Sequence, residues 1–398
     1  MADFLFMTGK PAIRRNWRTW VEVDLGAVRK NARAAQQCLH TDQPGIVAVV
    51  KADGYGLGMV PVARAVQDVV RAFAVANVSE AMALREGGIT SPVYVLGPAL
   101  PWERTALVEG AGFCPSVSDV AEARAYARTA EAAGRKLSVH VVVDTGMGRM
   151  GALPAMAAEV VWEVAASRWL ELDSVASHFP SADTDRHFTV EQEQGFRHLI
   201  QSLQEAGLPL ERTQIANSAG LTAYTRRGGP ELARAGLILY GVSPVEECRK
   251  LLSPVASWFT RITQVRTLPP GWGVSYGRTY VTSGPTRVGT LAVGYADGYP
   301  RQLSGQGAQV LIGGRRCPVL GRVTMDQLMV DVSALPVDST VPGTEAVLFG
   351  CQGEGEITVD ELAAWSGTIS WDILTGLGPR VHRVYLPAPA QEAGNVEG

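Results

Sequence analysis

The sequence predicts an α/β protein in which a parallel (β/α)8 barrel of the TIM type precedes a mostly β carboxyl-terminal domain. Its 398 residues exceed the roughly 250 to 300 at which a single hydrophobic core stops growing, so two domains are expected. Between Gly45 and Gly241, short apolar runs alternate with stretches of helical spacing. After Pro254 the apolar runs are separated instead by turn signals such as PPG, GG and PG, a pattern typical of β structure.

The first part of the chain contains eight runs that resemble strands. They are IVAVV (46–50), AFAVA (72–76), VYVLG (93–97), AGFCPSV (111–117), LSVHVVVD (137–144), LDSVASH (172–178), TQIANS (213–218) and LILYG (237–241). Parallel strands require crossover helices, and Ser79 and Ser118 are placed to cap two of them. The fourth run is weak, and an open doubly wound sheet gives a similar alternation.

The second part also contains strand-like runs, but turn signals separate them instead of helical stretches. They are FTRITQVRTL, TRVGTLAVGYA, AQVLIGGRRCPV, QLMVDVSAL and EAVLFG. We therefore divide the chain into a leader (1–17), a barrel (18–254), a β-rich domain (255–388) and a polar tail (389–398), with the first strand able to join either domain.

Composition narrows the class of partner. The formal net charge is -3, and no long basic run is present, which argues against nucleic acid or an anionic membrane. A small molecule or a second copy of the chain is expected instead. The five cysteines are scattered and never form CxxC, so we predict no metal site, no disulfide framework and a reducing cytoplasm. The apolar stretch Phe4 to Met7 is too short for a signal peptide.

Lys51 is the first residue with a chemical signature. It follows the first barrel strand and precedes ADGYGLG, and reactive groups of such barrels lie at the carboxyl ends of strands. A partly desolvated lysine can form a Schiff base with a carbonyl compound. From these residues alone, a solvated lysine at a strand end is the commoner explanation.

The segment around Lys51 is one of many that match a known family. VVKADGYGLG resembles the lysine segment of the pyridoxal-phosphate (PLP) dependent alanine racemases. Further resemblances occur in the same order, in TWVEVDLGAVRKN, DTGMGRMG, ASHFPSAD, ANSAG, RAGLILYG, VSYGRTY, VGYADGYPR and GRVTMDQLMVDV. Together they extend from Thr19 to Tyr385, and this collinearity identifies the chain as a member of that family.

The resemblance implies both an architecture and a reaction. The expected protein is a barrel plus a β domain, assembled as a head-to-tail homodimer whose sites each include residues of the other subunit. The expected activity is interconversion of L- and D-alanine by two-base proton transfer, with PLP as cofactor. Lys51 matches the cofactor lysine and first base, and Tyr276 matches the second base. Racemisation requires acid/base groups on both faces of the substrate.

The resemblance also assigns binding roles. Cofactor contacts fall on Lys51, Tyr55, His178, Asn217, Ser218, Arg234, Gly236, Leu237 and Trp371, and substrate contacts on Arg149, Tyr295 and Met325. Arg234 matches the arginine at the pyridine nitrogen, where a permanently charged guanidinium restrains electron withdrawal. Ser218 precedes a helical stretch, so a role as helix cap is compatible with its role at the phosphate.

Two positions depart from the family. Val142 stands where many members have a lysine that is carbamylated and orients the arginine matching Arg149, so we predict an altered carboxylate site. Trp371 and Asp372 stand where a Tyr-Glu pair is typical. An indole offers one N–H and more bulk than a phenol, so the phosphate contact or the substrate pocket is expected to differ.

Two other functions remain open at this point. One is racemisation of serine or another small amino acid, in specialised metabolism, and the other is a non-catalytic PLP-binding protein. A PLP decarboxylase is a weaker candidate, because that class places aspartate after a loop cysteine, and none of the five cysteines here is followed by Asp.

Overall fold

The structure is a computed structural model that describes residues 16–39, 45–208, 210, 212–223, 232–243, 245 and 249–387. Most of the proposed leader, the proposed tail and Cys248 lie outside these residues. The described chain divides into two compact units. The barrel unit contains Ala27–Gly54 and Gly58–Ser253, and the β unit contains the residues up to Gly26, the short segment Tyr55–Leu57, and the residues from Pro254 onward.

The barrel unit is built on an eight-stranded parallel sheet with strand order β8-β7-β6-β5-β4-β3-β2-β9. Its strands are β2 Ile46–Val49, β3 Ala72–Val75, β4 Val93–Val95, β5 Phe113–Val117, β6 Leu137–Val142, β7 Leu170–Ala176, β8 Thr213–Gln214 and β9 Ala233–Ala235. Backbone hydrogen bonds from Leu232 to Thr213 (2.8 Å) and from Arg234 to Ala216 (2.9 Å) bring the two edge strands together. The closed barrel is confirmed, and the open doubly wound sheet is excluded.

Helices connect the barrel strands. They are α1 Leu25–Cys38, α2 Met59–Val66, α3 Val78–Glu86, α4 Arg104–Glu109, α5 Val120–Ala133, α6 Pro154–Ala166, α7 Arg186–Glu205 and α8 Ser218–Ala223. The prediction that Ser79 and Ser118 cap α3 and α5 was wrong. The caps are Asn77 and Asp119, whose side chains accept the amides of the third helical residues, a role for which Asn and Asp rank beside Ser.

The eighth predicted strand was also wrong. LILYG does not form a strand, because Leu237–Tyr240 is a 3-10 helix and the last barrel strand is the preceding Ala233–Ala235. Gly236 leaves the extended conformation (φ -108°, ψ -92°), and Gly241 ends the turn in the left-handed region (φ 75°). Ile238, Leu239 and Tyr240 are buried, and periodicity alone does not separate a short buried strand from a short buried helix.

The β unit begins with the first described strand. Its strands are β1 Thr19–Asp24, β10 Ala256–Leu268, β11 Gly273–Val274, β12 Tyr280–Val281, β13 Thr286–Leu291, β14 Gln309–Ile312, β15 Arg315–Leu320, β16 Leu328–Asp331, β17 Glu345–Gln352, β18 Gly355–Ile357 and β19 His382–Leu386. A nine-stranded sheet has the order β18-β17-β14-β15-β16-β13-β10-β1-β19. Strand β1 is antiparallel to β10 (Thr19 opposite Thr260) and parallel to β19 (Trp20 opposite His382).

Aromatic side chains fill the core of the β unit. Trp20 stacks on Phe259 with ring centroids 5.3 Å apart, and Trp258 contacts Phe349 edge-on at 6.1 Å. Two helices, α9 Val359–Ser366 and α10 Ser370–Thr375, complete this unit. The mostly β character predicted after Pro254 is confirmed.

Three further properties concern the described residues as a whole. None of their helices has both the length and the apolar character needed to cross a membrane. Cys38, Cys114, Cys317 and Cys351 form no disulfide bonds. No group of three or more His, Cys, Asp or Glu side chains in this part of the chain is arranged to hold a metal ion.

Candidate active site

Lys51 begins a backbone segment of unusual conformation. After β2 ends, Ala52 (φ 53°, ψ 48°), Asp53 (φ 51°, ψ 50°) and Gly54 (φ 62°, ψ 45°) are all left-handed, and so is Tyr55 (φ 54°). This conformation costs a non-glycine residue roughly 1–2 kcal/mol, so three such residues in four concentrate strain beside the lysine. Strain of this kind persists only where surrounding contacts impose it, and it is typical of functional sites.

The Lys51 amine is half-buried. Burial lowers its pKa, the positive charge of Arg149 lowers it further, and the negative charge of Glu80 acts in the opposite direction. Within the described residues, the amine has no hydrogen bond or ion pair. A desolvated lysine with a depressed pKa is available as a nucleophile and as a base.

Arg234 lies deep in the barrel, with 6% of its surface exposed. One terminal nitrogen, Nη1, donates to the Gln214 backbone oxygen (3.1 Å) and to Gln214 Oε1 (3.4 Å). The other, Nη2, donates to the Ser177 oxygen and contacts His178 Nδ1 at 3.1 Å. Its Nε donates to no described residue. Burial lowers the Arg234 pKa to about 10, with a further contribution from Arg149, so the guanidinium is charged near neutral pH.

His178 lies between Arg234 and Asn217. Its Nδ1 lies beside the guanidinium, and its Nε2 lies 3.5 Å from Asn217 Nδ2. Burial lowers the His178 pKa to about 3, and the charges of Arg234, Arg149 and Lys51 reinforce that effect. The imidazole is therefore neutral, and Nδ1 accepts the hydrogen bond from Arg234.

Ser218 and Gly236 meet between β8 and β9. The Ser218 hydroxyl accepts the amides of Gly236 (3.0 Å) and Ile238 (3.5 Å), at the start of the 3-10 helix that contains Leu237. The expected capping role of Ser218 was wrong, because it is already the first residue of α8. Asn217 fills that role, since its Oδ1 accepts the Gly220 amide at 2.9 Å.

Arg149 extends from a loop that Asp144 organises. The Asp144 carboxylate accepts the amides of Gly146 (2.9 Å), Met147 (2.8 Å) and Gly148 (2.9 Å). Burial acts to raise the Asp144 pKa, but these amides outweigh it and leave the pKa lowered. Arg149 itself is exposed, and no described residue accepts a hydrogen bond from its guanidinium. Val142, where the family's lysine would stand, is the last residue of β6.

The second predicted base, Tyr276, lies in the β unit with 72% of its surface exposed. Its neighbours Ser275 (φ 62°), Gly277 (φ 72°) and Arg278 (φ 48°) are left-handed. The Ser275 hydroxyl donates to the Arg322 carbonyl at 2.6 Å. This short, strained segment presents the phenol to the surface of the unit.

Tyr295 and Met325 are brought together in the same unit. The amides of Tyr295 and Ala296 donate to the carbonyls of Thr324 and Met325, each at 3.0 Å. A Cβ on Gly294 would lie 2.3 Å from the Thr324 oxygen and 2.4 Å from the Met325 oxygen. Only glycine permits this approach, and the side chains of Tyr295 and Met325 remain exposed.

Tyr55 and Trp371 also belong to the β unit. Tyr55 is half-buried, and burial raises its pKa to about 12, so its hydroxyl keeps its proton. Trp371 is half-buried on α10. Its neighbour Asp372 accepts the Thr368 hydroxyl at 2.8 Å, which ties that carboxylate to the start of its own helix.

The chain matches two family models in succession. The model for the alanine racemase N-terminal domain covers residues 23–244, and the model for the alanine racemase C-terminal domain covers residues 255–385. The alanine racemase of Methylacidiphilum infernorum is 39% identical over 373 residues, which are 92% of either chain. That of Symbiobacterium thermophilum is 41% identical, over 92% of this chain and 97% of its own.

The chain belongs to the alanine racemase family.

Solved structures of alanine racemases also share the fold. The Bacillus anthracis enzyme with bound L-Ala-P is 33% identical with a TM-score of 0.84, and covers 93% of this chain and 95% of its own. The enzyme from D-cycloserine-producing Streptomyces lavendulae is 36% identical with a TM-score of 0.85, over 93% and 97%. The resemblance identified from sequence motifs is therefore confirmed.

The thirteen site residues predicted for this alanine racemase family member divide between the units. The barrel unit brings together Lys51, Arg149, His178, Asn217, Ser218, Arg234, Gly236 and Leu237, and the β unit holds Tyr55, Tyr276, Tyr295, Met325 and Trp371. The sequence reasoning did not select Gln214, which orients Arg234 and whose Nε2 donates to Ser174 Oγ at 2.9 Å. The only signal for it was a polar side chain inside the strand run TQIANS.

Proposed function

We propose that this member of the alanine racemase family is an isomerase that interconverts L- and D-alanine with PLP as its cofactor. The observation that carries the proposal is the match to alanine racemases over 92% of the chain. No comparison favours serine, another small amino acid or a non-catalytic PLP-binding protein.

The residues of the barrel unit fit PLP. A lysine with a depressed pKa and no described partner suits a cofactor that carries an aldehyde. The Ser218 hydroxyl lies against the first amides of the 3-10 helix, which donate to it in this structure, so O–H and N–H groups of the kind that bind a phosphate are grouped there. The Arg234 Nε donates to no described residue, so it suits an aromatic nitrogen acceptor. We infer that these residues hold the cofactor, together with Tyr55, His178, Asn217, Leu237 and Trp371.

Two side chains would move the proton. When bound, PLP withdraws electrons from the substrate and makes the proton on its α-carbon removable. Lys51 Nζ takes or returns that proton on one face, which its lowered pKa favours. The Tyr276 hydroxyl serves the other face from the partner subunit. Its exposed position on the β unit supports this role, because an acid/base group supplied in trans must project from the surface of its own subunit.

The remaining side chains would bind and orient. Arg234 stays charged, and its hydrogen bond keeps His178 neutral and fixed. We infer that Arg149 binds the substrate carboxylate, since guanidinium suits bidentate carboxylate binding and the side chain is exposed. Met325 and Tyr295 would line the approach. In this proposal the substrate supplies the counter-charge for Arg149, consistent with the altered carboxylate site expected from Val142.

We further propose a homodimer with shared sites, a barrel domain at 18–254 and a β-rich domain at 255–388. Support for shared sites comes from the division of the site residues between two compact units. The boundary is supported by the separation of the units between Ser253 and Pro254. A cytoplasmic location remains a prediction from the scattered cysteines.

The direct test is racemisation by the full chain with PLP. L-alanine, L-serine and a panel of other L-amino acids are incubated with the protein, and the enantiomers are separated by chiral chromatography. We expect D-alanine to accumulate fastest. If none of the amino acids is interconverted, the proposal is refuted. If serine is racemised faster than alanine, serine is the substrate.

The shared site is tested by mixing inactive variants. Lys51→Ala and Tyr276→Phe are each expected to lose about 10²- to 10⁴-fold in kcat, and Tyr276→Phe should keep the absorbance of lysine-bound PLP. When the two variants are mixed in equal amounts and exchange subunits at random, about a quarter of all sites in a symmetric dimer contain both intact residues. Mixtures that stay inactive after verified subunit exchange would argue for sites built from one subunit.

A further inference from the structure

Glu80 stands beside the left-handed segment that follows Lys51 and lies outside the residues assigned above. The segment has some bonds of its own: Gly54 donates to the Val50 carbonyl (2.8 Å), and Gly58 donates to the Asp53 carbonyl (2.8 Å). The Met59 amide donates to Asp53 Oδ1 at 2.9 Å. These bonds fasten the middle and the end of the segment, which leaves its first amide, that of Ala52, to find a partner elsewhere.

Glu80 supplies that partner. Its Oε1 accepts the Ala52 amide at 2.7 Å, and its Oε2 accepts the Ala76 amide at 2.7 Å. Ala76 follows β3, and Ala52 follows the neighbouring strand β2, so one carboxylate joins the carboxyl ends of two adjacent strands. Hydrogen bonds from N–H groups to a charged carboxylate are about twice as strong as those between neutral groups.

Helix α5 provides a matched case without the second bond. Glu122 is its third residue, as Glu80 is the third residue of α3, and both helices have a capping side chain at the residue before. Glu122 Oε2 accepts the Ser118 amide at 2.8 Å, the counterpart of the bond from Glu80 to Ala76. No other described amide donates to Glu122. Capping therefore accounts for one bond of Glu80 and leaves the bond to Ala52 unexplained.

We propose that Glu80 is a positioning residue, which holds the left-handed segment through the Ala52 amide and thereby fixes the direction in which Lys51 presents its amine. The inference rests on the proposed function of Lys51 and extends it to a residue to which no substrate or cofactor contact has been assigned. The charge of Glu80 does not account for this role, because it opposes the lowering of the Lys51 pKa by burial and by Arg149.

The test compares Glu80→Ala and Glu80→Gln with Glu122→Ala and Glu122→Gln in the full chain loaded with PLP. Glutamine keeps one acceptor oxygen but presents an NH2 to the other amide, so it breaks the bridge with little change in shape. For the Glu80 variants we expect kcat for L-alanine to fall roughly 10- to 100-fold, the cost of misplacing a reacting group by about 1 Å. KM should change less than about threefold, since substrate binding is not the affected step.

Two readouts do not depend on turnover. The visible absorbance of lysine-bound PLP, followed as the cofactor is added back to protein stripped of it, should recover more slowly in the Glu80 variants than in the Glu122 variants. Amide hydrogen exchange of the peptide that contains Ala52 should accelerate about tenfold or more in Glu80→Gln, because an amide that loses its acceptor is protected only by local structure. Glu122→Gln should leave that peptide unchanged.

The possible outcomes distinguish failure of the proposed racemase function from failure of the proposed positioning role of Glu80. A wild-type protein that does not racemise any amino acid would refute the proposed function, while the exchange data would still decide whether Glu80 holds the segment. Equal effects of the Glu80 and Glu122 variants on kcat, on PLP reattachment and on exchange would reduce Glu80 to a helix cap and overturn the inference. If Glu80→Ala does not fold, Glu80→Gln carries the comparison alone.

Discussion

Two arginines of the barrel unit differ in their burial and in the number of hydrogen bonds that hold their charge in place. Arg234 is almost completely buried and donates toward five acceptor atoms of its own chain. Arg149 is exposed, and none of the described residues accepts a hydrogen bond from it. The fold has fixed Arg234 before any ligand arrives, whereas the orientation of Arg149 is left to whatever anion binds there.

This contrast follows from the local structure around each arginine. Arg234 lies within a barrel strand, and its guanidinium donates to the Ser177 carbonyl in the interior of the barrel, so the folded state depends on it. Arg149 lies on a loop whose shape comes from Asp144, so folding does not need its charge. We therefore expect changes at Arg234 to appear as lost stability and changes at Arg149 to appear as lost substrate binding.

The largest effect is expected from Arg234→Leu. The variant removes the donor to the Ser177 carbonyl, to His178 Nδ1 and to Gln214 Oε1, and removal of one member of a buried charged network costs about 3–5 kcal/mol. Chemical denaturation measures the loss. The control is Arg124→Ala, an exposed arginine paired with Glu163, which should cost no more than about 1 kcal/mol. Equal losses from the two variants would contradict the contrast.

Lowering the pH should destabilise the folded protein through the buried histidines near Arg234. The pKa of His178 is lowered to about 3 and that of His140 to about 4, by burial and by the charge of Arg234, whereas both titrate near 6.5 when unfolded. Between these values the unfolded chain binds more protons, so stability is complete above about pH 6.5 and falls as the pH is lowered.

Each histidine contributes at most about 1.4 kcal/mol per pH unit to this slope. Denaturation at pH 7, 6 and 5 measures it. His140→Asn should flatten the slope, and His187→Gln, which removes an exposed histidine, should leave it unchanged. A stability that does not vary over this range would show that the buried histidines titrate normally.

Arg149→Ala should affect binding without affecting stability. Loss of a charge-assisted bond to the substrate carboxylate costs about 1.5–3 kcal/mol, equivalent to roughly 10- to 100-fold in kcat/KM for alanine. The free energy of unfolding should change by no more than about 0.5 kcal/mol, as for other surface substitutions. An unchanged kcat/KM would remove Arg149 from the site.

The smallest effect is expected at Val142. Val142→Lys restores the residue that many family members carbamylate, and an exposed ion pair with Arg149 is worth up to about 1 kcal/mol. KM for alanine should fall by at most about fivefold in bicarbonate buffer and stay constant without bicarbonate. Val142→Met, similar in length and uncharged, is the control. If methionine lowers KM equally, the departure at Val142 concerns packing rather than charge.

The sequence was most informative where patterns repeat. The alternation of apolar runs and helical stretches placed seven of the barrel strands, and the change after Pro254 placed the β structure. It failed at LILYG, where a buried 3-10 helix and a buried strand have the same composition. The helix caps failed for a related reason, since Asn77 and Ser79 are both good caps and only the backbone decides between them.

The candidate site likewise contains some residues that the sequence predicts and others that only the structure identifies. Lys51, Arg234 and Ser218 were selected because they lie in motifs that match a family, and the structure places them in one unit with the hydrogen bonds described above. Gln214 meets Arg234, and Glu80 meets the Ala52 amide, through oxygen atoms that lie 20 and 28 residues away along the chain. No local pattern encodes such meetings, so they emerge only from the fold.

The segment Tyr55–Leu57 restricts how the chain can be divided and recombined. It follows Lys51 by four residues, yet it is part of the β unit, where the Gly56 carbonyl accepts Arg383 Nε at 3.0 Å and a side chain on Gly56 would collide with the Leu374 carbonyl. The β unit therefore cannot be exchanged between proteins as an independent domain. Grafting it from a relative, or expressing the barrel alone, would disturb the loop beside the lysine, so the two halves must diverge together.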